Sequence, residues 1–274
     1  MSGSASRRPD LGAPPKIVIA IAIVGLSVFV VLPLVSLISR ASWGTIPRDL
    51  LHPAVLNALA LSLVCSLAAT ALSILIGLPV AWVLARATFP GRRVVRTLAL
   101  LPLVLPPVVG GVALLFAFGR RGLVGQWLDA AFGWRLPFTT AGAVMAATFV
   151  AMPFLVLTVE SALRSTDRNH EEVAATLGAG PITTFTHVTL RLIGPAIATG
   201  AALTWARALG EFGATITFAG NVPGRTQTLP LAVYVALETR PQAAIALSLL
   251  LIAVSVVVLV VAGKRAWSIT EVGS

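Results

Sequence analysis

The feature that most constrains this chain is a succession of apolar segments, each about as long as a lipid bilayer is thick. Six of them run approximately from Ile17 to Ser39, Val55 to Leu84, Val94 to Phe118, Ala141 to Val159, Pro195 to Ala219 and Ala243 to Ala262. A hydrocarbon core roughly 30 Å thick takes about 20 mostly apolar residues in helical form. No water is available there to satisfy backbone N–H and C=O groups, so segments of this kind must be helices. The expected fold class is all-α integral membrane, with six transmembrane helices in one membrane domain over residues 16–264. The second segment is long enough to tilt or to reach beyond the bilayer.

Composition agrees. Hydrophobic residues make up 57% of the 274, charged residues only 11%, and the mean hydropathy is +0.94. Soluble domains carry about 25% charged residues. A net charge of +10 would suggest nucleic acid in a soluble protein, but here the basic residues cluster at the ends of apolar segments. That pattern is topological and implies no nucleic-acid partner. With the amino terminus inside, Arg7, Arg8, Lys16, Arg86, Arg92, Arg93, Arg96, Arg164, Arg168, Arg191, Lys264 and Arg265 are cytoplasmic. Arg40, Arg48, Arg120, Arg121, Arg135, Arg225 and Arg240 are outside, and Arg207 lies within the fifth segment. The bias of twelve to seven puts both termini in the cytoplasm.

The Ser-, Pro- and Gly-rich stretch 1–15 reads as a disordered cytoplasmic tail, and 265–274 as a second tail. The first apolar run is longer than a signal peptide's and lacks a small-residue cleavage site, so it reads as an uncleaved anchor. The outer stretch "GLVGQWLDAAFGW" suits a short interfacial helix with Trp127 and Trp134 at headgroup depth. The single cysteine, Cys65, lies in an apolar run and offers no disulfide framework or thiolate metal site.

Catalytic machinery is not legible. The only Gly-Lys pair, Gly263-Lys264, follows an apolar run and precedes Arg265, so it is the end of a span and not a phosphate loop. His52, His170 and His187 have no metal-binding spacing. Glu171 and Glu172 are adjacent on a helix, about 100° apart, and do not converge as an acid/base pair would. We expect no enzyme, no metal and no cofactor.

The polar loop at about 165–191 interrupts the apolar pattern with "NHEEVAATLGAGPITTFTHVTLR". Asn169 is a candidate N-cap, Glu171 and Glu172 fill the first turn, and Gly178 with Gly180-Pro181 stops the helix. A second helical stretch from Ile182 leads to Gly194-Pro195. A short helix with small residues on its face can be gripped by a partner's groove, which a mere linker would not require.

These residues resemble the permeases of ATP-binding-cassette importers. Their cytoplasmic motif is Glu-Ala-Ala, three residues, Gly, nine residues, Ile-x-Leu-Pro. Here Glu172-Val173-Ala174, Gly178 and Val188-x-Leu190-Arg191 stand at those spacings, departing at Val173, Val188 and Arg191. The resemblance implies the type I importer permease fold and a coupling helix that docks in a groove of a separate ATPase. On that basis Glu171, Glu172, Ala174, Ala175, Leu177, Gly178 and Ala179 would couple to the ATPase. Implied partners are two ATPase subunits, an extracytoplasmic oxyanion-binding protein, a second copy of the chain and membrane lipid.

Two further stretches bear on transport. "TWARALGEFGATITFAG" places Arg207 and Glu211 four residues apart, so they pair on one helix face, either as a structural ion pair or along the translocation path. Gly210 and Gly213 permit close helix contact. "LPLVLPPVVGG" breaks span three with Pro102, Pro106 and Pro107 before Gly110 and Gly111, as a pore-lining gate or a packed kink would. The candidate path or gate is Pro106, Pro107, Gly110, Arg207, Glu211 and Gly213. With "LGEFGATITFAGNVPGRTQTLPLAVY", these stretches resemble the molybdate permease branch, and sulfate permeases are similar. Turns at Gly220-Asn221 and Pro223-Gly224 give an outer surface in which Asn221, Arg225 and Gln227 would meet the binding protein. The expected function is import of molybdate or tungstate. The alternatives are a sulfate or thiosulfate permease, or an ion-coupled secondary transporter that would use Glu211.

Overall fold

The computed structural model describes residues 15–270, with side chains through Val258 and at Val260. Most of the expected amino-terminal tail and residues 271–274 lie outside the described residues. Among the described residues regular structure is entirely helical. A first unit ends at Trp43 and contains α1 (Lys16–Ser39). Its π-helical turn, Ser27–Val31, precedes Pro33, whose missing N–H leaves a carbonyl one turn back without its regular donor.

The second unit begins with a short helix, Ile46–Leu50, and then α2 (Pro53–Arg86), opened by the His52 side chain accepting from Ala54 N at 3.3 Å. At about 1.5 Å per residue its 34 residues reach roughly 50 Å, beyond one bilayer core. A stripe of small side chains, Ala58, Ser62, Cys65, Ala69, Ser73, Gly77 and Ala81, is buried along its length. Between membrane helices there is no hydrophobic gain from leaving lipid, so close backbone approach through small residues supplies the packing. The partner is α6 (Thr140–Ser165), and the two run parallel. Cys65 sits with Ala143, Ala69 with Ala147 and Ala151, and Leu84 with Val159 and Leu163.

The third span is broken as its prolines lead one to expect. Helix α3 (Arg92–Leu100) and a 3₁₀ turn to Leu103 are bent by 116° from α4 (Pro107–Phe118). Helix α5 (Gly125–Phe132) is the short helix expected in the loop after the third segment, with Trp127 and Trp134 exposed. After α6 come α7 (Asn169–Thr176), α8 (Pro181–Leu192) and, across a 73° bend at Ile193, α9 (Gly194–Leu209). Helix α9 runs back antiparallel to α2 and α6: Ile193 packs with Leu84 and Leu163, and Ala208 with Ala69 and Ala147.

The fifth segment is not one helix to Ala219. The chain breaks after Leu209 and restarts as α10 (Gly213–Phe218). Next comes α11 (Leu229–Thr239), an apolar helix of 11 residues within what the sequence reads as outer loop, too short to cross. The last helix is α12 (Pro241–Thr270). Among the described residues four helices are long and apolar enough to span by themselves, and up to six spans result if each bent pair counts as one.

This packing gives the second unit two ends. One holds Arg86, Arg92, Arg164, α7, α8 and Ile193. The other holds the starts of α2, α6 and α12, together with α10 and α11.

Candidate functional site

Helix α7 is closed by geometry that its sequence dictates. Gly178 has φ +86°, its N–H donates to Ala175 O at 3.0 Å, and Ala179 N–H donates to Ala174 O at 3.0 Å. This is the paired-bond Schellman stop, with glycine at its left-handed position. The expected N-cap needs correction. Asn169 is already the first helical residue, and the side chain that accepts from its N–H is that of Asp167, at 3.0 Å. Asp167 is two residues upstream, the spacing at which an Asp side chain accepts from a backbone N–H in an Asx turn.

The two adjacent acids separate into different roles. Glu171 turns inward: its Oε1 lies 2.8 Å from Arg86 Nη2 and accepts from Thr189 Oγ1 at 3.1 Å. Glu172 is exposed, as are Ala175, Leu177 and Gly178, while Ala174 and Ala179 are half-buried. Leu177 is 83% exposed and Ile182 75%, so α7 and the start of α8 present an apolar, polar-edged tip. Behind the tip, Phe185 stacks on Trp82 with ring centroids 4.2 Å apart, fixing α8 to the end of α2. The loop is a braced protrusion whose exposed face is free for a partner.

The two stretches singled out for transport meet. A Cβ on Gly213 would lie 2.9 Å from Pro107 Cβ, and one on Gly111 would lie 2.7 Å from Thr217 Cβ. Glycine is required at both positions for α10 to seat against the start of α4. Gly110 lies under the Phe149 ring, where a Cβ would come within 2.8 Å. Pro106 ends the extended step of the break, and Pro107 opens α4.

Arg207 and Glu211 do pair, at 2.7 Å, but not on one continuous helix face. Glu211 sits in the break itself, and its other oxygen accepts from Ala214 N at 2.8 Å, capping α10. Its carboxylate is 2% exposed and the Arg207 side chain 28%, so Arg207 is the member that reaches toward solvent. Gly210 ends α9, and the capping carboxylate stabilises a new helix start, which is why the segment splits.

Of the outer-surface residues, Arg225 is exposed and its carbonyl accepts from Thr140 Oγ1 at 2.9 Å. Gln227 lines a cavity of about 110 Å³ with Asp49, His52 and Arg240. Asn221 is half-buried, its Oδ1 enclosed without a hydrogen-bond partner. The loop is shaped by Gly220 and Gly224, at φ +72° and +71°, and by Thr226 Oγ1 accepting from Val222 N at 2.9 Å.

Sequence reasoning missed Glu160. It is 1% exposed and bridges Arg96 (3.1 Å) and Arg164 (2.5 Å) at the α7 end of the bundle. The signal is present in Glu160 and Arg164, four residues apart, but the apolar run in the sequence ends at Val159.

Residues 73–265 match the family described as binding-protein-dependent transport system inner membrane component. The molybdenum transport system permease protein ModB of Mycobacterium tuberculosis is 49% identical over 251 residues, covering 92% of this chain and 94% of that protein. The sulfate transport system permease protein CysT of Escherichia coli is 36% identical over 205 residues, covering 75% and 74%. Among solved structures, a bacterial alginate ABC transporter in complex with an alginate pentasaccharide-bound periplasmic protein has a chain that superposes with a TM-score of 0.74. Identity there is 19%, with 93% of this chain and 94% of that one covered.

Proposed function

Because the chain belongs to the family of binding-protein-dependent transport system inner membrane components, we propose that it is the permease subunit of an ATP-driven molybdate importer. It is a multi-pass inner-membrane protein with the fold of type I importer permeases. Two copies would form the path, two ATPase subunits would supply the energy, and an extracytoplasmic binding protein would deliver the oxyanion. Both termini and α7 would then be cytoplasmic, the side that the lysine and arginine bias favours.

The observation that carries the coupling is the brace at α7: an exposed tip at Leu177 tied to the end of α2 through Arg86 and Glu171. Closure of an ATPase pair around the tip would pull on α2 directly and on α9 through the Ile193 bend. Glu172, Ala175, Leu177 and Gly178 would contact the ATPase, whereas Glu171 holds the helix in place. Gly213 against Pro107, with Arg207 beside it, would form the gate through which the anion passes. Exposed Arg225 with Gln227 would meet the binding protein.

Molybdate is favoured by the 49% identity to a molybdenum permease across nine-tenths of the chain. The more distant sulfate permease keeps a second substrate in view. The test is uptake of labelled molybdate by cells lacking their own importer and expressing this chain with its binding protein and ATPase. Competition by tungstate and not by sulfate is the expected result, and strong competition by sulfate would move the assignment to that anion. Uptake that survives ATP depletion but collapses with an uncoupler would replace the ATP-driven reading with ion coupling.

A further inference from the structure

Beside α3, at the bundle end that carries α7, a cleft of about 640 Å³ is walled by Arg92, Arg93, Arg96 and Arg164. Among the described residues the one carboxylate engaging these four guanidinium groups is Glu160, which pairs with Arg96 and Arg164. Arg92 is turned onto the Leu84 carbonyl, and Arg93 has no partner among the described residues. The cleft therefore keeps a surplus of positive charge.

Local structure adds to it. Helix α3 starts at Gly91 (φ +87°) with no side-chain cap and no acid in its first turn, so Arg92 and Arg93 stand on the positive end of the helix. That placement opposes the helix dipole and favours an anion held from outside. A second cleft, of about 570 Å³, shares Arg93 and Arg96 and continues along α3 past Thr97, Leu100 and Leu101 to Val104. Val104 is 84% exposed.

An arginine-lined head that opens into an apolar groove on the same helix has the form of an amphiphile. A free oxyanion would use the arginines and leave the groove empty. We propose that this is a binding site for an anionic phospholipid, its phosphodiester between Arg93 and Arg96 and an acyl chain along Leu100, Leu101 and Val104. The inference rests on α3 lying at a membrane boundary and is independent of the transported substrate. Guanidinium pairs bind phosphate oxygens in a charge-assisted, bidentate manner, and basic residues at a membrane surface select anionic lipids.

The test is native mass spectrometry of the assembled transporter, transferred from detergent into bilayers of phosphatidylcholine doped with phosphatidylglycerol. The wild type should retain phosphatidylglycerol in preference to phosphatidylcholine, and Arg93→Gln should lower that retention about fivefold. Arg93 is exposed and unpartnered, so this variant should fold normally. Val104→Ser should weaken retention of long-chain but not short-chain phosphatidylglycerol, which reads the groove separately. Arg48→Gln, distant in sequence on the helix preceding α2, should change nothing. Equal retention by Arg93→Gln and wild type would overturn the proposal, and so would displacement of the lipid by millimolar molybdate or phosphate. Cross-linking of Val104→Cys between two copies with no lipid retained would assign the groove to a second subunit and overturn it as well.

Discussion

Arg86 Nη2 and Glu171 Oε1 stand 2.8 Å apart and join the last turn of α2 to the first turn of α7. Both side chains are largely enclosed, at 14% and 20% exposure, and Glu171 also accepts from Thr189. A charge-assisted contact in such a place contributes about 2 kcal/mol. Glu171→Gln should leave the spans folded and the ATPase attached while loosening transmission from α7 to α2. The expected outcome is fewer molybdate ions moved per ATP hydrolysed. The double variant Arg86→Glu with Glu171→Arg should recover part of the loss; unchanged coupling in Glu171→Gln would deny the brace a role.

The exposed tip should behave oppositely. Leu177→Asp changes a side chain that touches little of its own chain, so the thermal midpoint should stay within about 2 °C of wild type. Co-purification of the ATPase should fall at least tenfold. Glu172→Arg should act the same way. Gly178→Asp places a side chain where φ is +86°, at a cost of about 1–2 kcal/mol, and should lower both docking and the stability of α7. Intact co-purification of Leu177→Asp would show that the ATPase binds elsewhere.

At the proposed gate the reacting feature is space. Gly213→Val and Gly111→Val would push α10 off the start of α4, since their Cβ atoms alone would approach within 2.9 and 2.7 Å of Pro107 and Thr217. Overpacking of this kind costs about 1–3 kcal/mol. Uptake should drop more than tenfold while ATPase docking is retained, because the tip lies at the other end of the bundle. Normal uptake by both variants would mean that this contact is not in the path.

Outside the spans, Arg135 donates to Asp129 at 2.9 Å and Arg120 at 3.2 Å. The hydrogen bond from Arg135 is the main cause holding the Asp129 carboxyl below the ordinary carboxylate range; desolvation opposes it, and the charge of Arg135 with the hydrogen bond and charge of Arg120 restore the downward shift. A depressed folded-state pKa stabilises above the unfolded value of about 3.9 and ceases to as pH falls through the lower, folded value. Hydrogen exchange over α5, corrected for intrinsic rate, should therefore speed up below about pH 4. Asp129→Asn should show no such step, and a wild type without the step would remove the pair from the account of α5.

Most of the helical layout was legible because a bilayer sets a length and a polarity that few residue patterns satisfy. α1, α2 and the starts of α6 and α12 fall within a few residues of the apolar runs. The stop at Gly178 was legible too, since a left-handed position after a helix selects glycine. What escaped depends on contacts between segments far apart in the chain. Glu171 and Glu172 look alike in sequence, and only the approach of Arg86 assigns one inward. Glu211 reads as a helix-face partner of Arg207, yet the donor at Ala214 N turns it into a cap and splits the span. Helix α11 was missed because its turn-rich approach and its 11 residues fit neither a span nor an ordinary loop.

The parallel seam between α2 and α6 also sets an order of assembly during synthesis. Helix α2 leaves the ribosome long before α6, so its small-residue face meets lipid or the insertion machinery first. Thr70 and Ser73 are ready for that interval, since their hydroxyls donate to the carbonyls of Ser66 and Ala69 within the same helix. Ser66 likewise donates to Leu63 O at 3.2 Å, but Ser62 and Ser66 also accept from far along the chain, Ser62 from Leu229 N and Ser66 from Trp205 Nε1. Those donors are made more than a hundred residues later. Those two clasps therefore close only once the last third of the chain is being inserted, and a chain truncated before Trp205 would hold its early helices by the α2–α6 seam and the Glu160 and Glu171 ion pairs alone.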